Sequence, residues 1–144
     1  MTGTMTDTHP PRRALPRVGA VLAGLIAVVV LSVGTDAVLR ATGVLPPLGR
    51  PMTGALFLLA TAYRTVYGIA GGYVTARLAP DRPVQHALAL GVVGLVLSIA
   101  GALATWNRGP EFGPKWYPIA IAALALPAAW VGGVLARARN APRS

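Results

Sequence analysis

Apolar residues gather into four long runs, at about 18–39, 54–79, 84–106 and 116–136, separated by short segments rich in Pro, Gly and charge. At a rise of roughly 1.5 Å per residue, each run is long enough as a helix to cross a hydrocarbon core of about 30 Å. Gly43–Pro51 carries Pro46, Pro47, Gly49 and Pro51, and Ala79–Pro83 places two prolines around Asp81-Arg82. Such segments end one helix and start the next. The pattern predicts an all-α polytopic membrane protein, a four-transmembrane-helix bundle. Its membrane domain covers 17–137, between a disordered basic cytoplasmic tail at 1–16 and a short basic cytoplasmic tail at 138–144. The first run is too long for an ordinary signal-peptide core and is followed by further membrane segments, so it reads as a span.

The second run differs from the others because it contains an arginine. Arg64 lies about ten residues, roughly 15 Å, beyond Gly54, close to the bilayer midplane. A charge at that depth costs from about 3 kcal/mol to more than about 10, so it should face protein, water or a counter-charge. At about 100° per residue, Ala60, Thr61, Arg64, Tyr67, Gly68, Gly71 and Thr75 share one side. Leu58, Leu59, Ala62, Val66, Ile69, Ala70, Tyr73 and Ala76 occupy the other, which suits lipid. Gly68 and Gly72 form a small-xxx-small pair that admits a neighbouring backbone. In the third run Ala87, Gly91, Gly94, Ser98, Gly101 and Thr105 form a stripe of small side chains, expected to pack against the second span near Gly68 and Gly71.

Arg64 therefore heads the candidate binding residues, with Tyr63, Tyr67 and Asp36. It is open to binding an anionic solute or lipid head group, to lining a wet path, or to a structural role in which Asp36 or helix carbonyls engage it. Asp36 has two cations within reach. Arg40, four residues on, is the expected local partner. Arg64 is the alternative, its long stem leaning outward toward its helix N-terminus.

Composition agrees with membrane insertion. Of 144 residues, 54% are hydrophobic and 12% charged, and there is no cysteine, which excludes disulfides and thiolate chemistry. The net charge of +9 does not imply nucleic acid, because the cations sit at the ends of the apolar runs. Arg12, Arg13, Arg17, Arg77, Arg82, Arg137, Arg139 and Arg143 share one side; Arg40, Arg50, Arg108 and Lys115 share the other. The heavier side should be cytoplasmic, which puts both termini there. Trp106, Trp116 and Tyr117 should then form an aromatic belt at the outer interface. Arginine dominates the cations and Ala, Gly and Pro are abundant, which suits a GC-rich bacterial genome and an inner-membrane location.

His9 lies in the tail, and no carboxylate or second histidine shares a span or helical face with His86, so no metal and no cofactor is expected. Ser98 has no accompanying base, and an arginine cannot serve as one, so no enzymatic activity is expected. The run Tyr63-Arg64-Thr65-Val66-Tyr67-Gly68-Ile69-Ala70-Gly71-Gly72-Tyr73, the Ala-Arg-Leu-Ala-Pro after it and the later Trp116-Tyr117-Pro118 resemble small uncharacterised four-span bacterial integral membrane proteins. That group has no assigned activity, so the resemblance implies a fold and no mechanism. The sequence thus points to a non-catalytic structural or accessory membrane component, with the lipid bilayer and a homo-oligomer or membrane-protein partner as its surroundings. The alternative is a small oligomeric transporter, channel or lipid-binding protein that uses Arg64 for an anionic or polar ligand.

Overall fold

A computed structural model describes residues 14–109 and 112–140, which fold into four helices: α1 (Ala14–Ala41), α2 (Gly54–Leu78), α3 (Pro83–Thr105) and α4 (Trp116–Asn140). The helices match the four apolar runs to within a few residues at most ends. The tail expected at 1–16 is already helical at 14–16, as is 138–140 of the tail expected at 138–144; residues 1–13 and 141–144 lie outside the described residues. α1, α3 and α4 are long and apolar enough to cross a membrane. Their large side chains point outward, with Ile26 60% and Leu103 73% exposed, a surface that needs lipid around it. α2 has a comparable length but is less apolar, because Arg64, three tyrosines and three threonines replace aliphatic residues.

α2 and α4 form the most extensive contact, closely followed by α3 and α4, while α1 lies along α2 and touches α3 lightly. Small residues make each crossing. A Cβ on Gly24 of α1 would stand 2.7 Å from the Gly71 carbonyl oxygen of α2 and would collide with the Thr75 hydroxyl. A Cβ on Gly72 would fall on the Ala129 backbone of α4, and one on Gly132 would stand 2.6 Å from the Tyr73 nitrogen. These backbones approach closely enough for dispersion to act over many atoms, which supplies the attraction that apolar burial cannot supply in lipid.

The partner of the small stripe on α3 differs from expectation. Gly91 faces Leu126 and Ala129, and Gly94 faces Ala125, all on α4. Gly68 on α2 likewise faces Ala128 of α4. α4 thus takes the place expected of a direct seam between the second and third spans, and α3 reaches the α1–α2 crossing mainly through Leu90, beside Gly24 and Gly71. Gly101 is exposed with nothing near its missing Cβ, and Ser98 borders cavities described below, so neither closes an interface. Ala76, expected to face lipid, is buried with Ala87 and Ala136, and Tyr73 packs on that cluster. Because α2 is contacted by all three other helices, its outward face narrows to residues such as Leu58, Ala62 and Val66, which are exposed.

At the α1 N-terminal end, Arg17 donates to Asp81 in the α2–α3 turn at 2.7 Å. Arg82 in that turn takes a left-handed conformation, φ 45°, before Pro83 opens α3. At the opposite end Gly113, φ 93°, lies on the Phe57 ring, where a Cβ would meet ring carbons at 2.5 Å.

Substituting Gly72 or Gly132 with leucine should destabilise the protein by about 1–3 kcal/mol or prevent folding, through overpacking at a backbone contact. Gly101→Leu should change the unfolding midpoint little. Unfolding in mixed micelles checks both expectations.

Candidate functional site

The polar interior begins with the antiparallel pairing of α1 and α2. Asp36 lies about five residues, roughly 8 Å, before the end of α1, whereas Arg64 lies roughly 15 Å after the start of α2. Each Cα–Cβ bond tilts toward its own helix N-terminus, so the Asp36 side chain leans inward and that of Arg64 outward. They meet between these depths. Arg64 Nη2 donates to Asp36 Oδ2 at 2.7 Å, and the Tyr63 hydroxyl donates to Asp36 Oδ1. Consecutive residues of α2 thus hold both oxygens of one carboxylate on α1.

A second polar contact lies beside it. The hydroxyls of Thr35 and Tyr67 are 2.5 Å apart, and the Tyr63 and Tyr67 rings, one helical turn apart, have centroids separated by 5.8 Å. From α4, Tyr117 places its ring 5.9 Å from the Arg64 guanidinium carbon, within cation–π range. Phe57 packs on the other side of Tyr117 at 4.9 Å. The cluster therefore joins α1, α2 and α4.

The expected local pair of Asp36 with Arg40 does not form. Arg40 instead donates to the Pro46 carbonyl at 2.8 Å, stitching the α1–α2 connection, while Arg64 takes the carboxylate. An exposed i,i+4 pair contributes only about 0.3–0.5 kcal/mol, so an interior cation that would otherwise lack a counter-charge outweighs it. Tyr117 also departs from the expected belt: it turns inward, leaving exposed Trp106 and Trp116 at the boundary, with Lys115 Nζ 4.9 Å from the Trp106 ring centroid.

Two cavities adjoin this cluster. One, of about 320 Å³, is walled by all four helices, chiefly by aliphatic side chains such as Val28, Leu90 and Leu124, with Asp36, Arg64, Ser32 and Ser98 as its main polar edge. Gly68, Gly91 and Gly94 give it room. The other, of about 390 Å³, is bordered by Leu97, Thr105, Phe112 and Tyr117. Arg64 and Ser98 border both. Arg64 remains 34% exposed along its side chain, and Asp36 20%. The Arg64 Nε atom is buried without a hydrogen-bond partner.

All four candidate binding residues, Asp36, Tyr63, Arg64 and Tyr67, are thus brought together. Thr35 and Tyr117 complete the cluster and were not identified as site residues by the sequence. Thr35 was signalled only by being polar beside Asp36, and Tyr117 only by sitting at a helix start. No group of histidines and carboxylates able to hold a metal occurs among the described residues. Compared with protein-family models, curated proteins and solved structures, the chain matches none.

Arg64→Met removes the counter-charge and leaves Asp36 with only the Tyr63 hydroxyl, which should cost about 1–3 kcal/mol of stability. Arg64→Lys should recover part of the loss, since a point charge keeps the pair without the planar fork. Arg40→Ala should cost less than either. Thermal unfolding of the three variants in one detergent gives the ranking.

Proposed function

We propose that the chain is a non-catalytic integral membrane component, an accessory or assembly protein, whose four helices all cross a bacterial cytoplasmic membrane with both termini inside. The observation that carries the fourth crossing is the Arg17–Asp81 pair. If α1 crosses, its Ala41 end lies on the far side from Arg17, yet the chain is back beside Arg17 by Asp81. α2 makes that return, and its 25 residues span roughly 37 Å. Its polar groups are compatible with lipid because Arg64, Tyr63 and Tyr67 face α1 and α4 rather than outward. The orientation rests on the excess of arginine at the Arg17, Arg82 and Arg139 side.

A structural role is supported by the engagement of the interior charges with each other. Asp36 is held by two donors, so it is a poor general base, and the site offers no activated nucleophile beside it. The resemblance to four-span bacterial membrane proteins fits this reading and adds no activity. One observation favours the second reading, a small transporter or channel: Arg64 borders both cavities, as a residue on a solute path would.

Fusions to a reporter active only in the periplasm test the four-span proposal. Activity is expected after Gly49 and Gly109 and none after Asp81 or Ser144. Activity after Asp81 together with silence after Gly49 would reverse the orientation, and equal activity at Gly49 and Asp81 would remove α2 from the membrane.

A further inference from the structure

The smaller cavity has the features of a site rather than a packing defect. Its walls come from all four helices, and its volume of about 320 Å³ lies at the lower end of the range for small-molecule sites. It also has an entrance on the lipid side. Val29 and Val33 of α1 border it and are themselves 50% and 62% exposed, along the seam where α1 and α3 touch lightly. A guest reaching the cavity this way would come from the bilayer, so the guest must be lipid-soluble.

The polar edge restricts the guest further. Arg64 already shares its charge with Asp36, so the pair is close to neutral, and a second anion would add an unpaired negative charge at depth. What the edge offers is spare donor capacity, because Arg64 spends Nη2 on Asp36 while its side chain, still 34% exposed, borders the cavity. A carbonyl or ester oxygen satisfies a donor without adding charge. Aliphatic walls leading to such a donor match an apolar chain that ends in that oxygen.

We infer that this four-helix cavity binds a neutral amphiphile, one acyl chain entering from the bilayer beside α1 with its ester or carbonyl oxygen on the exposed part of the Arg64 guanidinium. The pair with Asp36 then has two consequences: it joins α1 to α2, and it cancels the charge that would otherwise select an anion. This inference rests on the membrane placement proposed above, and the experiment separates the two because topology is read independently by the reporter fusions.

The test uses the full chain in lipid nanodiscs and a monolaurin analogue carrying a diazirine on its chain. Photolysis should label cavity residues such as Leu90 or Ala125. Excess monolaurin should suppress the label, whereas laurate and dodecane should not. Gly94→Leu fills the cavity, and a Cβ there meets only Ala125 at an ordinary 3.7 Å, so this variant should fold and lose the label. Ala125→Leu narrows the same space from α4 and serves where Gly94→Leu lowers the thermal midpoint. Labelling confined to outward residues such as Leu103, or retained in both filled variants, overturns the site. Equal competition by laurate or dodecane overturns the neutral acceptor. With a normal reporter pattern, either result sinks the inference and leaves the topology standing.

Discussion

A single ion pair, Arg64 on α2 with Asp36 on α1, sets the conditions that the rest of the structure meets. Both charges are largely withdrawn from the surface, Arg64 34% and Asp36 20% exposed, so removing either partner leaves the other poorly compensated. The two helices must therefore keep a register in which the guanidinium reaches the carboxylate. Tyr63 and Tyr67 reinforce that register through Asp36 and Thr35, and Tyr117 brings α4 against the cation. The polar cluster thus fixes orientation, while the glycine contacts fix distance.

The distance constraint centres on α4. Its small residues Ala125, Ala128 and Ala129 meet Gly68 and Gly72 on α2 and Gly91 and Gly94 on α3. Gly133 also faces Ala87 of α3, where a Cβ would stand 2.7 Å from that methyl. Two seams therefore share one helix. α1 has a single close crossing, Gly24 with Gly71, and is held beyond it by polar contacts. The consequence is an asymmetric bundle, closely packed at α2–α4–α3 and more loosely joined where α1 meets α3, on the side of the four-helix cavity.

Local pattern revealed the helices because an apolar run of sufficient length has few other solutions. Arg64 and Asp36 were equally legible as residues out of place in such runs. Their pairing was not, since the i,i+4 preference of Asp36 for Arg40 is a local quantity, and the alternative depends on how deep α1 and α2 sit against each other. Small residues posed a similar problem: the stripe through Gly91 and Gly94 announces that some backbone comes close, but nothing in it names α4 over α2. Gly132 and Gly133 were hidden for the same reason, as two glycines in an apolar run carry no direction. Ala76 was misplaced because projection assigns one inward side to a helix, whereas α2 has neighbours on three.

Energetic coupling between Asp36 and Arg64 is measured most directly by a double-mutant cycle of Asp36→Asn and Arg64→Met. Unfolding free energies of the parent, both single variants and the double variant would be compared in one micelle composition. If the pair is coupled, the double variant is clearly less destabilised than the sum of the singles, because removing the second charge relieves the one left unpaired. Additive losses, with no coupling beyond about 0.5 kcal/mol, would contradict it.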